Sequence, residues 1–330
     1  MPEGTKKERV NYIDVAKGLL IFFVFVGHMA RRLNFSGDDT FLSYFTITRE
    51  YLWTSFYMPA FFVITGYCSN FAVSFKSFVV KNAKTLIIPA VCLVVPSNVA
   101  ELVFKKITAE EFLLQTLLTS FWFLRSLFMA KILFYFCCRF LWKDYLRSLF
   151  CLVLFAGGVY LANYVCPKDM FNIVHALLLL PFLEIGRLLK KYSKERIYKV
   201  ATIAYAILVL MVIGMKWEVP SVTFAIKVDS RFALLFLLLA STGCIAILWV
   251  SKLIKKSFVL ELLGRHSLVL YCIHVQFYTY YSRIFHKFVG INCVYSALTL
   301  VVSTLLLIVA CLGISVVLNK KPFCYCLGKF

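Results

Sequence analysis

Long apolar segments separated by short polar ones follow one another along the whole chain. A helix needs roughly 20 mostly apolar residues to cross the hydrocarbon core of a bilayer, because each residue adds about 1.5 Å. About ten segments reach this length, and they lie near residues 14–33, 51–73, 85–104, 118–140, 146–165, 171–189, 197–215, 231–251, 266–285 and 294–318. The third is the most interrupted, since it contains Pro89, Pro96 and Glu101. The pattern predicts an all-α bundle of about ten transmembrane helices, and with no repeat or long linker we expect one domain over 1–330.

Composition and charge agree with a membrane protein and exclude several other classes. Of the 330 residues, 62% are hydrophobic, against about 45–50% in soluble proteins. This excludes a soluble two-domain protein, a disordered protein and an ordinary nucleic-acid-binding protein. The formal net charge is +20. Lysine and arginine concentrate in the loops on the side of the N-terminus, which predicts that both termini are cytoplasmic and that the lipid bilayer, not nucleic acid, is the partner.

The cysteines and the N-terminus indicate neither a disulfide framework nor a cleaved leader. Most of the 12 cysteines lie inside apolar segments, where cysteine behaves as a small hydrophobic residue. Cys324 and Cys326 have no second Cys/His pair close by in the sequence, so we expect no metal site. Basic residues precede the first apolar segment as in a signal peptide. His28 and Arg31 stand where a small-residue cleavage site would follow, so we expect a retained first helix.

Three ionisable residues lie on one face of the first predicted helix. Such side chains inside a span cost at least about 2–3 kcal/mol, so each is a candidate for function. Lys17 and His28 are 11 positions apart, which places them within roughly 20° on one face and about 16 Å apart along the axis. Asp14 falls on the same face, and a structural ion pair between Asp14 and Lys17 would explain both residues without a function. His28 is either an interfacial anchor or a functional group, and the spacing leaves both open.

Polar side chains also recur along one face of the ninth predicted helix. They are separated by intervals of four, three and four residues, and they belong to Ser267, Tyr271, His274 and Tyr278. This period is that of an α-helix. Two interpretations remain open: the face lines a cavity, or it forms hydrogen bonds to a neighbouring helix inside the bundle.

Further charged and aromatic residues interrupt the middle of the chain. Trp122 and Arg125 are neighbours on one face of the fourth span, and an arginine there must point into the bundle or a water-filled cavity. Glu184 is followed one turn later by Arg187, which predicts a structural ion pair. His175 lies near the end of its segment, so we expect it at the membrane interface.

Taken together, these segments resemble the acyltransferase-3 family of integral-membrane acyltransferases, most closely its fucose 4-O-acetylase-like branch. The resemblance rests on short motifs in the family's order: Tyr12-Ile13-Asp14 with Lys17 and His28, Met58-Pro59-Ala60-Phe61-Phe62 with Thr65-Gly66-Tyr67, Trp122-Phe123-Leu124, and Leu263-Gly264-Arg265-His266-Ser267-Leu268 followed by Tyr271 and His274. These motifs extend from the first predicted span to the ninth.

The resemblance implies transfer of an acyl group, usually acetyl, from cytoplasmic acetyl-CoA to a hydroxyl of a cell-envelope carbohydrate. It also implies a multi-pass protein of the bacterial inner membrane. Lys17 and His28 match the family's essential basic residue and histidine. Lys81 and Lys84 stand where better-known members have two arginines on the acyl-CoA side, so the charge is kept but the bidentate grip on phosphate is lost. Thr65 stands in place of the commoner serine.

These residues lead to specific expectations for the chemistry. We expect His28 to act as the general base, supported by Lys17 and Asp14; an acyl-histidine intermediate is the rival mechanism. We expect Lys17, Lys81 and Lys84 to attract the phosphates of acetyl-CoA. Candidates for the substrate pocket are Trp122, Arg125, Tyr271 and His274, and the last three are also the candidates for an oxyanion donor.

Two other functions compete with acyl transfer. Broken spans and charges inside the membrane are typical of a transporter or flippase for a polysaccharide precursor or small solute. The chain shows no inverted repeat, which argues against transport. A non-catalytic assembly or sensor protein that kept the fold is the third interpretation. If the chain is an enzyme, we expect the external loops at 34–50, 105–117 and 216–230 to select the acceptor.

Overall fold

The computed structural model describes residues 11–34, 39–104, 108–114, 116, 121–165, 172–192, 194–222 and 226–329. Within these residues the chain is almost entirely helical, which confirms the predicted all-α class. The α-helices in chain order are α1 (Asn11–Leu33), α2 (Thr40–Arg49), α3 (Tyr57–Cys68), α4 (Phe75–Asn82), α5 (Ile88–Val103), α6 (Ala109–Leu114), α7 (Trp122–Phe140), α8 (Asp144–Tyr160), α9 (Ile173–Tyr192), α10 (Glu195–Gly214), α11 (Ala233–Ile254), α12 (Phe258–Phe285) and α13 (Cys293–Leu318).

Short irregular elements connect or extend these helices. Turns of π-helix occupy Glu50–Thr54, Ala83–Ile87 and Leu161–Val165. Two residues of β1 (Ser221–Val222) pair antiparallel with β2 (Ile226–Lys227). The π-helical turn at Ala83–Ile87 joins α4 to α5, so the third predicted span is part of one longer helical segment.

Within the described residues, seven helical segments are long and apolar enough to cross a membrane: Asn11–Leu33, Phe75–Val103, Asp144–Val165, Glu195–Gly214, Ser230–Ile254, Phe258–Tyr278 and Cys293–Leu318. The chain is therefore an integral membrane protein, as predicted. The other three predicted spans coincide with α3, α7 and α9. Helix α3 has only 12 residues, while α7 and α9 are longer but contain several charged residues. The number ten stays a prediction.

Helix α1 lies at the centre of the bundle and touches α12 through two glycines. A Cβ atom at Gly18 would stand 2.0 Å from the carbonyl oxygen of Leu260, and one at Gly264 would stand 1.9 Å from that of Asp14. Both distances are far below van der Waals contact. Only glycine therefore allows the two backbones to come this close, which is the way small residues join helices in membranes.

Helices α1 and α12 run in the same direction. Near the start of α1, Asp14 lies against Gly264. Near its end, the rings of His28 and His274 have centroids 5.0 Å apart. Residue numbers thus rise together along both helices. If successive spans cross the membrane in alternating directions, the first and the ninth predicted spans must run the same way, as α1 and α12 do.

A second pair of glycines joins α3 to α9 in the same manner. A Cβ atom at Gly66 would stand 2.0 Å from the carbonyl oxygen of Leu183, and one at Gly186 would stand 1.9 Å from that of Val63. The short helix α3 is therefore held against the longer α9 by backbone contact. This contact explains how a helix of 12 residues keeps its place in the bundle.

We predict that Gly264→Ala destabilises the protein, because the added methyl group must push α1 and α12 apart. Overpacking of this kind costs about 1–3 kcal/mol. The control is Gly313→Ala in α13, where a Cβ atom would meet nothing within 4 Å. Because alanine favours helix over glycine, the control should be unchanged or slightly more stable. Thermal unfolding of the detergent-solubilised protein measures both, and equal midpoints for the two variants would contradict the close contact.

The predicted orientation of the membrane helices is tested by two exposed native cysteines, Cys68 and Cys293. With both termini in the cytoplasm, Cys293 faces the outside and Cys68 the cytoplasm. Cys166 comes directly after the fifth predicted span, which ends outside, so it is first replaced by alanine. In this background a membrane-impermeant maleimide should label spheroplasts through Cys293. Replacing Cys293 by alanine should remove this label, and replacing Cys68 should not. Labelling of Cys68 before permeabilisation would reverse the orientation.

Candidate active site

The last turns of α1 bring His28 against two side chains of α12. The ring centroid of His28 is 5.0 Å from that of His274 and 5.6 Å from that of Tyr278, whose plane is inclined by only 26°. His274 and Tyr278 are four residues apart and so lie on one face of the helix. His28 itself is half-buried. The structure thus brings together the polar faces that the sequence indicated on the first and ninth helices.

His274 is buried and only partly hydrogen-bonded. Its Nδ1 lies 2.8 Å from the carbonyl oxygen of Tyr271 and 3.2 Å from that of Leu270. Since a carbonyl can only accept, Nδ1 carries the hydrogen, and in the neutral ring Nε2 is an acceptor. Nε2 is buried and has no hydrogen-bond partner among the described residues. His274 therefore offers an unused lone pair beside the proposed base His28.

Aromatic rings of α7 and α9 extend this cluster on the far side of Tyr271. The ring centroid of Tyr271 lies 5.9 Å from that of His274 and 5.1 Å from that of Phe123. The neighbouring Trp122 packs against His175 at 4.8 Å. The side chain of His175 is 3% exposed and packs inside the bundle in the first turn of α9, so it does not extend to solvent, and its depth at the membrane interface stays a prediction. Trp122, Tyr271 and His274 thus belong to connected aromatic surroundings.

Arg125 has one described hydrogen-bond partner. Its Nη2 donates a hydrogen bond of 3.0 Å to the carbonyl oxygen of Thr116. Its Nη1 is buried without a hydrogen-bond partner in the described part of the chain. One end of the guanidinium group is therefore bonded to Thr116, and the role of Arg125 in the pocket or as an oxyanion donor stays a prediction.

The first turns of α1 contain the predicted ion pair. Nζ of Lys17 lies 3.6 Å from Oδ1 of Asp14, and the Lys17 side chain is 30% exposed while Asp14 is buried. Close by, the ring of Tyr12 meets that of Tyr67 edge-on, with centroids 6.5 Å apart. Two of the motifs found in the sequence, one on α1 and one on α3, thus meet at this end of the bundle.

Lysines gather where α4 passes into the π-helical turn Ala83–Ile87. Lys81 and Lys84 are both exposed. Lys131 of α7 lies over the ring of Phe78, with its Nζ 5.7 Å from the centroid, and its charge acts on Lys81. The charges on this surface can attract an anionic ligand.

A separate group of charges links α8 to α9 and is fully paired. The predicted pair is present, with Arg187 Nε 2.9 Å from Glu184 Oε2. Glu184 also accepts from Arg147 Nε at 3.0 Å. Asp144 accepts from both arginines, and Lys191 lies 2.9 Å from it. Because every partner is present, this network has the character of a structural element.

Sequence reasoning missed Arg49, which it counted as a charge of the external loop 34–50. This loop instead contains α2, and Arg49 at its end is only 4% exposed. The guanidinium lies over Gly27, the residue before His28: a Cβ atom there would stand 3.2 Å from Nη1. The adjacent acidic residue is Glu50, whose Oε1 lies 3.6 Å from Arg49 Nη2 in the structure, so no signal in the sequence set this arginine apart.

Comparison with known proteins gives two findings. The model of the acyltransferase-3 family, described as an acyltransferase domain, matches residues 10–320. The nodulation protein NolL of Mesorhizobium japonicum (strain LMG 29417 / CECT 9101 / MAFF 303099) is 30% identical over 140 residues. This alignment covers 40% of the present chain and 36% of NolL, so the chain matches about a third of that relative's length. No solved structure matches the chain.

We predict that Glu184→Ala strongly destabilises the protein, because it removes the buried carboxylate that accepts from both Arg147 and Arg187. Removing one member of a buried ion pair costs about 3–5 kcal/mol. The control is Glu195→Ala, which breaks an exposed pair with Lys199 on α10. That variant should unfold within about 0.5 kcal/mol of the wild type. A chemical or thermal unfolding series in detergent that shows equal losses would contradict a structural role for Glu184.

Proposed function

We propose a reaction for this chain on the basis that it belongs to the acyltransferase-3 family of membrane acyltransferases. In this reaction it transfers an acetyl group from cytoplasmic acetyl-CoA to a hydroxyl of a cell-envelope carbohydrate. The family match and the membrane-spanning helices support the reaction class. The donor, the acceptor and the residue roles are our assignments. We also propose that residues 1–330 act as one acyltransferase domain in the bacterial inner membrane.

The observation that carries the proposal is the contact of His28 with His274 and Tyr278 inside the bundle. A sugar hydroxyl is a poor nucleophile at neutral pH, so its attack needs a base, and neutral imidazole is suited to that task. We assign His28 as this base. The free Nε2 of His274 can accept the N–H of His28, which would fix the tautomer and leave the second nitrogen of His28 with a lone pair for the acceptor.

In the proposed reaction the acceptor oxygen bonds to the thioester carbonyl carbon while His28 takes the hydroxyl proton. The carbonyl electron pair moves onto its oxygen, and when the double bond forms again the carbon–sulfur bond breaks. The thiolate of coenzyme A leaves and takes the proton from the imidazolium of His28. Under the acyl-histidine alternative the ring nitrogen of His28 attacks the carbonyl carbon first, the carbon–sulfur bond breaks and the coenzyme A thiolate leaves; the acceptor oxygen then takes the acyl group from the histidine. A burst of acylated protein in the first turnover would reveal this order.

The basic residues support entry of the donor from the cytoplasmic end. Lys17 is partly exposed although Asp14 holds it in place, and Lys81 and Lys84 are exposed. All three can pair with phosphate as point charges. Along α1, Lys17 and His28 are separated by about 16 Å of helix, a distance that the flexible arm of the donor would have to cover.

The aromatic surroundings of Tyr271 support a place for the acceptor. The ring of Tyr271 lies between those of His274 and Phe123 of α7, and Trp122 directly precedes Phe123 on the same helix. Large rings with a polar atom at one end can hold the apolar face of a sugar and still donate a hydrogen bond. We assign Trp122 and Tyr271 to the acceptor pocket on this basis.

We predict that His28→Ala lowers acetyl transfer by about 10²–10⁴-fold, because the acceptor loses its base. Membranes are incubated with radiolabelled acetyl-CoA and envelope glycan, and the alkali-labile ester label on the glycan is counted. The control is His286→Ala, which removes an exposed histidine just after α12. This control should transfer acetyl at the wild-type rate, and both variants should accumulate normally in the membrane.

Two results would contradict the proposed function. Near-normal turnover of His28→Ala would remove the proposed base. Accumulation of solute in sealed vesicles, with no ester formed by the wild type, would favour a transporter instead of an acyltransferase.

A further inference from the structure

Arg49 carries a buried charge whose hydrogen-bonding groups are largely unused. Its Nε and Nη2 are buried and have no hydrogen-bond partner among the residues that the structure describes. Oε1 of Glu50 lies 3.6 Å from Nη2 and forms no hydrogen bond with it. A buried donor left unsatisfied costs about 1–3 kcal/mol, and more when it is charged. A side chain in this state calls for an explanation.

A buried arginine with a purely structural role is present in the same molecule for comparison. Arg147 is 3% exposed, close to the 4% of Arg49. Its Nε donates to Glu184, its Nη1 to the carbonyl oxygen of Leu141 and its Nη2 to Asp144. All three nitrogens of Arg147 are thus occupied, whereas two of the three in Arg49 are not. The two arginines are equally buried but differ in how many of their nitrogens form hydrogen bonds. This difference indicates that the free N–H groups of Arg49 bind a ligand.

The position of Arg49 identifies where that group would bind. The guanidinium rests on Gly27, whose missing side chain leaves room for it, and Gly27 directly precedes His28. The charge of Arg49 reaches the His28 ring. The ring of His274, whose Nε2 is unused, lies 5.0 Å from the ring of His28 between their centroids. Two helices, α2 and α12, therefore place buried polar atoms without hydrogen-bond partners near His28.

The backbone holds Arg49 firmly in this place. It ends α2 and is followed by the π-helical turn Glu50–Thr54, a type of turn frequent at functional sites. The hydroxyl of Thr54 donates to the carbonyl oxygen of Arg49 at 3.3 Å. The backbone of Arg49 is thus held by this contact, and Gly27 locates its guanidinium group. Donors that are in place before the reaction are what electrostatic stabilisation of a transition state needs.

We infer that Arg49 is a catalytic residue that donates hydrogen bonds to the thioester carbonyl oxygen as it becomes negative during acyl transfer. This inference rests on the proposed function. When the acceptor oxygen bonds to the carbonyl carbon, the displaced electron pair resides on the carbonyl oxygen, and the free N–H groups of Arg49 stabilise it. The guanidinium neither gains nor loses a proton. This assigns to Arg49 the role for which Arg125, Tyr271 and His274 were the candidates from sequence.

We predict that Arg49→Gln lowers kcat by about 10²–10³-fold, the usual loss on removing one oxyanion donor. The KM for acetyl-CoA should stay within about threefold, because the lost interaction forms only in the transition state. Arg49→Lys should retain part of the rate, since it keeps the charge but not the fork of donors. The assay uses purified protein in lipid nanodiscs, radiolabelled acetyl-CoA and envelope glycan.

Arg31→Gln is the matched control, because it removes the same charge from an exposed position on the last turn of α1. Its charge also acts on His28, so a general effect of the electric field would lower the rate in both variants. We expect Arg31→Gln to keep kcat within about twofold. Guanidinium ion at millimolar concentration should restore part of the activity of Arg49→Ala and none of that of His28→Ala.

Three outcomes would overturn this inference. If wild type is active and Arg49→Gln keeps its kcat, Arg49 takes no part in the chemistry and the proposed function survives. If Arg49→Ala unfolds at a lower temperature and guanidinium does not rescue it, the arginine is structural. If the wild type transfers no acetyl to any glycan, the proposed function fails first, before any variant is compared, and the role of Arg49 falls with it.

Discussion

The contact between the backbones of α1 and α12 is the interaction on which the rest of the structure depends. Gly18 and Gly264 each lie against a carbonyl oxygen of the other helix, so the two helices meet without intervening side chains. Inside a bilayer there is little hydrophobic gain in pairing two helices, and close packing supplies the stabilisation instead. Because the helices are parallel and touch near their starts, the side chains further along meet as well, which places His28 beside His274. The site is thus a consequence of backbone packing two to three turns away.

The interior tolerates polar groups in two different ways. Where α8 meets α9, Arg147 and Glu184 are buried and each is bonded to an oppositely charged partner, so the group stabilises the fold. Around His28 the polar atoms of Arg49 and His274 are equally buried but have unused hydrogen-bonding capacity. Burial alone does not distinguish structural from functional polar side chains in a membrane protein. Whether their donors and acceptors have hydrogen-bond partners distinguishes them better.

Sequence reasoning predicted the interactions that lie within one helix, because a period of 3.6 residues determines them. The pairs Asp14–Lys17 and Glu184–Arg187 and the polar face of α12 are of this kind. It failed where a partner lies far along the chain. Arg49 belongs to a helix too short to register as a span, and the surface that buries it includes Gly27, on a different helix. Spacing on one helix does not reveal which other helix will lie against it.

The distance in sequence between α1 and α12 also constrains how the protein is made. About 230 residues separate the end of α1 from the start of α12, so the ribosome completes most of the chain before the two can meet. Until then Asp14, Lys17 and His28 stand on a helix whose polar face has no permanent cover. The newly inserted helix must be sheltered by the insertion machinery or by temporary neighbours. Packing of α12 against α1 removes the free-energy cost of polar side chains exposed to lipid, and it also brings His274 and Tyr278 to His28. Biogenesis and activity therefore depend on the same packing event.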